Sequence, residues 1–244
     1  MLSGNIARYR HCPSLRMRPP PIPLWPLPLS IALLFLGAVH LAWWLSLQAG
    51  TVPACNPYWD GCTSISRAAR HGLSNHLFRL VVLPSALLHL LNWWLASRWL
   101  RDPGRARDGE ALMLLVLGAT SAAALALYAT FLGSQGETYQ LLRRYGVTLY
   151  FGCGFLAQLL FLRMALRRKL LQRALAVWMQ GVCVAMLMLG VFNTVAAALV
   201  ADRAFQDRLE NALEWQLGLL LVTWFALQSL AWRRTGLGMR LESG

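Results

Sequence analysis

Apolar residues along this chain follow neither a helical nor a strand period. They gather into six blocks of about 20 residues, separated by short polar or basic stretches. Twenty or so apolar residues is the length at which an α-helix crosses the hydrocarbon core of a bilayer. The blocks fall at 27–48, 77–99, 111–132, 145–166, 174–200 and 212–232. A transmembrane β-barrel would need shorter segments of alternating polarity, and a run such as 111–132 has no alternation. The pattern therefore predicts an all-α, polytopic transmembrane six-helix bundle. Residues 1–26 form a basic, Pro-rich N-terminal segment in which Pro19-Pro20-Pro21-Ile22-Pro23 cannot be helical throughout. Residues 27–232 form the membrane domain, and 233–244 a short tail.

Composition agrees with the pattern. The 244 residues are 57% hydrophobic and 14% charged, against roughly 25% charged in soluble domains. No polar stretch is long enough to bury a core of its own. A net charge of +13 can signal nucleic-acid binding, but the arginines flank the apolar blocks, so topology accounts for them and no nucleic-acid partner is expected. Of the 23 Lys and Arg residues, Arg67, Arg70, Arg79, Arg143, Arg144, Arg203 and Arg208 fall on one side of the predicted spans. The other sixteen, including Arg8, Arg10, Arg16, Arg18, Arg98, Arg101, Arg105, Arg107 and Arg240, fall on the side of the termini. Positive residues resist translocation, so both termini are predicted to be cytoplasmic. The long basic N-terminus and span-length first block, with no small-residue cleavage site behind them, predict that the first helix is retained. Trp43, Trp44, Trp93, Trp94, Trp99, Tyr145 and Trp232 stand near span ends, where amphipathic rings suit the headgroup zone.

The longest connection, 49–76, lies on the non-cytoplasmic side and contains Cys55-Asn56-Pro57-Tyr58-Trp59-Asp60-Gly61-Cys62. Its turn residues and Cys spacing fit a small closed loop, with Cys55 and Cys62 either bridged, if that face is oxidising, or left as two thiols. Cys12, Cys153 and Cys183 fall in the tail or the spans, where a small apolar role is expected. Ionisable groups inside spans cost several kcal/mol and call for a partner or a purpose. Glu214 lies about one turn into the sixth block, following Asn211, at a depth similar to that of Arg79, Arg143 and Arg144. Two readings fit: a structural ion pair, or a lipid-headgroup site in which arginine forks hold a phosphate and Glu214 accepts from a headgroup amine or hydroxyl. His71, His76, His40 and His89 match no zinc spacing, so no metal is expected, and no cofactor motif is present. His40 and His76 are the candidates for an acid–base role and Ser64 and Ser66 for a nucleophile, although no elbow or triad spacing surrounds them.

The small residues Gly118-Ala119-Thr120-Ser121-Ala122-Ala123-Ala124 predict close helix packing, as do Gly146, Gly152, Gly154, Gly181 and Gly190. Asn92, Gln158, Gln180 and Asn193 are read as interhelical hydrogen-bonding groups. Pro84 predicts a kink in the second span.

The segments Cys62-Thr63-Ser64-Ile65-Ser66-Arg67-Ala68-Ala69 and Asn75-His76-Leu77-Phe78-Arg79 resemble the Ser-x-Ser-x-x-Ala and aromatic-Arg patterns of the Frag1/DRAM/Sfk1 membrane family. Arg144-Tyr145-Gly146-Val147-Thr148-Leu149-Tyr150-Phe151 and Leu213-Glu214-Trp215 fall where that family has characteristic segments. The resemblance extends over about 31–232 and is closest to the branch that includes post-GPI attachment to proteins factor 2. It implies six helices and a role in lipid handling or membrane organisation. One departure is plain: Arg143-Arg144-Tyr145 stands where related sequences tend to have a His, which removes the imidazole that His-dependent chemistry there would need. The Arg-rich, Lys-poor composition allows a bacterial inner-membrane protein, in which another outer-leaflet lipid would replace a GPI anchor.

Three expectations follow: a membrane protein that binds a lipid headgroup at its outer face, a scaffold or assembly subunit for another membrane protein, or a lipid acyltransferase or hydrolase. Membrane lipids are the expected partners of the first. Transport is disfavoured by the absence of paired broken helices and of midplane charges in series.

Overall fold

The computed structural model describes residues 21–102, 104 and 108–239. Arg8, Arg10, Cys12, Arg16, Arg18, Pro19, Pro20, Arg105, Arg107 and Arg240 lie outside the described residues. A two-residue strand β1 (Ile22–Pro23) precedes α1 (Pro26–Gln48), and a short α2 (Ile65–Ala68) leads into α3 (Gly72–Trp99). The remaining helices are α4 (Gly109–Phe131), α5 (Glu137–Arg167), α6 (Arg173–Leu199) and α7 (Arg203–Arg234), followed by strand β2 (Gly238–Met239). Every helix but α2 is long and apolar enough to cross a membrane, which makes six candidate spans.

Local chemistry sets the helix ends. Pro26 occupies the first turn of α1, where its missing N–H costs no helical bond. Asp108 accepts from the Ala111 N–H (3.2 Å) to cap α4, and Asp202 accepts from Ala204 (2.9 Å) and Phe205 (3.3 Å) to cap α7. Ser64 accepts from Arg67 N–H (3.1 Å) to cap α2. The long helices match the predicted blocks with three exceptions at their starts: α3 begins at Gly72, ahead of the expected 77, and two others begin earlier still. α5 begins at Glu137 and α7 at Arg203, well before the expected 145 and 212, because polar turns continue each helix beyond its apolar part.

Each long helix packs on its neighbour in sequence and α7 returns to α1, so the helices form a closed ring. The seam between α5 and α6 is the sparsest in it. Large side chains fill the interior: Trp93, Phe161, Trp224 and Trp232 are wholly buried, and Phe161 meets Trp224 at 6.0 Å between ring centroids. Asn92 on α3 and Gln228 on α7 exchange two hydrogen bonds (3.3 and 3.1 Å). A Cβ at Gly118 would land in the Trp93 side chain, and one at Gly146 or Gly154 would press on Tyr128 or Ser121, so these glycines do serve close packing. Gly152, Gly181 and Gly190 do not. Among the described residues, no heavy atom of another helix lies within 4 Å of a Cβ built on any of them, which corrects their reading as helix contacts. Gln180 is exposed, and Gln158 is buried with neither amide atom hydrogen-bonded among the described residues.

Antiparallel pairing of Ile22 with Met239 and of Pro23 with Gly238 joins the two ends of the described chain at one pole of the bundle. The opposite pole carries the long 49–71 connection and the α4–α5 and α6–α7 turns.

Candidate functional site

Four side chains in the third and fourth turns of α7 organise the pole remote from the termini. Asn211 Nδ2 donates to the Gly61 carbonyl (2.9 Å), Trp215 Nε1 to Thr63 (2.9 Å) and Gln216 Nε2 to Tyr58 (3.1 Å), while Glu214 Oε1 accepts from Ser66 N–H (3.2 Å). These positions fall one helical turn apart or less, so one end of α7 grips the long connection along its length. The connection is itself folded. Cys55 and Cys62 are joined as a disulfide with their Cα atoms 6.5 Å apart. Asn56 Oδ1 accepts from Tyr58 N–H (3.1 Å) and Asp60 Oδ2 from Asn56 N–H (2.9 Å), forming a compact turn.

Beneath this docked connection, α4, α5, α6 and α7 enclose a cleft of about 850 Å³, within the size range of small-molecule sites. Arg70, Arg143 and Arg144 stand on its wall with Tyr128, Asn193 and Glu214. Glu214 is half-buried and lies in the electrostatic field of Arg67 and Arg70. Tyr128, Glu214, Arg70 and Arg143 line the same cleft and so share one charged neighbourhood. Arg143 Nη1 donates to the carbonyls of Phe131 (3.2 Å) and Ser134, bracing the α4–α5 turn and leaving further guanidinium donors. Arg144 is exposed. Arg70 Nε and Asn193 Oδ1 are buried with no hydrogen-bond partner among the described residues, and such groups are costly unless something satisfies them.

The predicted site residues separate into those the cleft uses and those it does not. Arg143, Arg144, Glu214 and Ser66 line it. Arg79 does not reach its wall, and among the described residues Glu214 has no ion pair within 4 Å, so the expected Glu–Arg pair is replaced by the Ser66 amide and a diffuse arginine field. Asn211 does not line the cleft, and its Nδ2 is engaged by the Gly61 carbonyl. His40 is committed on both ring nitrogens, to Leu36 O (2.8 Å) and the Tyr58 hydroxyl (3.0 Å), and packs against Trp215. Burial raises the Tyr58 pKa, so its hydroxyl stays a donor. Ser64 caps α2, and His76 is exposed on α3 and lines no cavity described here. None of these four candidates forms a nucleophile–base pair with another.

Arg70 and Tyr128 are the residues that sequence reasoning missed. Arg70 lies just beyond the C-cap of the four-residue α2 that carries Ser66, so no helical spacing in the sequence marks the two as neighbours in the cleft. Tyr128 carried no signal either, being one apolar-block aromatic among many. Among the described residues, no three His, Cys, Asp or Glu side chains converge as a metal site requires.

A second, almost wholly apolar groove of about 430 Å³ runs between α5 and α6 and shares Phe151, Gly190 and Leu217 with the cleft. The cleft thus has a charged chamber and an apolar extension. Comparison of the chain with family models, curated proteins and solved structures finds no match.

Proposed function

We propose that this chain is a multi-pass membrane protein of lipid handling or membrane organisation that binds a phosphate-bearing lipid headgroup at its non-cytoplasmic face. The observation that carries the reading is the convergence of Arg70, Arg143 and Arg144 on one cleft beside half-buried Glu214. Guanidinium forks suit phosphate oxygens, and the second oxygen of Glu214 is available to a headgroup hydroxyl or amine. Both helices of the sparsest seam in the ring, α5 and α6, line the cleft, which suits arrival of a lipid from the side.

Two features support an orientation with this pole outside and the termini in the cytoplasm. Sixteen of the 23 basic residues fall, by sequence, on the terminal side of the predicted spans. The Cys55–Cys62 bridge at the opposite pole suits an oxidising compartment. The resemblance to the Frag1/DRAM/Sfk1 family points to the same lipid role. In a bacterial cell the location would be the inner membrane.

Native mass spectrometry of the protein extracted with its membrane lipids tests the reading. Wild type and Arg79→Ala should retain one class of phosphate-bearing lipid. Loss of charge-assisted hydrogen bonds costs about 1.5–3 kcal/mol, so Arg70→Ala, Arg144→Ala and Glu214→Gln should lower retention by about tenfold or more. Equal retention in all variants would sink the headgroup site. A stoichiometric membrane-protein partner captured in that case would put the assembly-subunit reading first.

A further inference from the structure

The groove between α5 and α6 is held open by absence of side chain. Gly152 and Gly190 line it, and a Cβ on either would meet nothing within 4 Å. Elsewhere in α5, Gly146 and Gly154 are packed tightly against α4, so openness belongs to this seam and not to glycines in general. The remaining lining includes Phe155, Met186 and Leu187, and apart from Thr194 it offers no polar side chain. On α5 the charged chamber extends from Gln140 to Phe151 and the apolar groove from Phe151 to Phe155, and on α7 only Leu217, the deepest chamber residue there, reaches the groove. Along these two helices polarity therefore falls with distance from the loop pole, while on α6 chamber and groove run side by side. The rise from Arg144 to Phe155 is roughly 16 Å, about half the thickness of a hydrocarbon core. A soluble anion would use the arginines and leave the groove empty. A lipid has a phosphate and a chain joined in the same order.

We infer that the α5–α6 groove seats one acyl chain of the lipid whose phosphate lies among Arg70, Arg143 and Arg144, so the ligand is an acylated phospholipid that enters sideways through this seam. The inference rests on the headgroup reading above. Within a bilayer a chain gains little by leaving lipid for an apolar groove, because both surroundings are equally apolar. The headgroup therefore supplies the affinity, and the groove selects for a chain by shape. Occupancy of the groove must then depend on the arginines.

The test uses the full chain in vesicles of a phosphate-free glycolipid, doped with phosphatidylglycerol that carries a photoactivatable diazirine midway along one acyl chain. After illumination, labelled positions are mapped by peptide mass spectrometry. Labelling at Phe155 and Met186 should exceed that at Trp178 and Val184, apolar positions exposed on α6, by about fivefold or more. Gly152→Leu, whose Cβ enters open space and whose side chain occupies the groove, should reduce the excess to background, and so should Arg144→Ala. Labelling no denser in the groove than on the exposed positions overturns the inference. If the groove loses its excess while headgroup retention still depends on Arg144, only the chain site fails. If groove labelling persists unchanged in Arg144→Ala, the link to the arginines fails, and the headgroup reading fails with it. Equilibrium dialysis against labelled inorganic phosphate separates the soluble source: no saturable binding is expected, and saturable binding without groove labelling overturns the lipid assignment.

Discussion

Gly61 shows how much of the site hangs on single backbone positions. Its φ of +58° lies in the left-handed region, and a Cβ there would collide with the Arg208 carbonyl at the start of α7. Gly61→Ala should push the disulfide-closed turn off α7 and destabilise the protein by about 1–3 kcal/mol. A thermal melt in detergent should show this as a midpoint lowered by several degrees, and an unchanged midpoint would mean the turn is not gripped as described. Glu214 was legible in the sequence because a carboxylate in an apolar block is conspicuous, and Arg143 and Arg144 because they flank one. Arg79 and Asn211 looked equally suitable by depth alone. Depth does not specify azimuth, however, and the rotation of α3 and α7 about their own axes puts Arg79 off the cleft wall and turns Asn211 towards Gly61.

The helices themselves were more legible than their faces. Hydropathy locates the part of a helix that lies in lipid, so the starts of α1, α4 and α6 came within two residues, while α5 and α7 start about eight and nine residues early. Those polar turns are helical because they have tertiary partners: Arg143 braces the α4–α5 turn and Asn211 holds the long connection. Small residues in apolar blocks all looked alike, yet Gly118 is filled by Trp93 and Gly152 faces open space. Introducing leucine separates the two cases. Gly118→Leu should overpack α3 against α4, at a cost of about 1–3 kcal/mol or more, and yield protein that aggregates on gel filtration. Gly152→Leu should elute and melt like wild type. Similar behaviour of the two variants would count against the ring packing.

The whole molecule is polar in the topological sense, with paired terminal strands at one pole and the cleft at the other. Thiol labelling tests which pole faces out. Ala201→Cys, exposed in the α6–α7 turn, should react in intact cells with a membrane-impermeant maleimide, and Arg233→Cys, exposed at the terminal pole, only after permeabilisation. The reverse pattern would invert the orientation and put the cleft in the cytoplasm. Chain order adds a constraint on how this pole is built. The bonds from α7 to the long connection join residues 148 to 158 positions apart. The ribosome therefore releases the disulfide turn long before the helix that will hold it. The chamber is in this sense timed by synthesis: a chain halted before α7 has five of the six long apolar helices and an undocked turn, and only the last helix to arrive closes it.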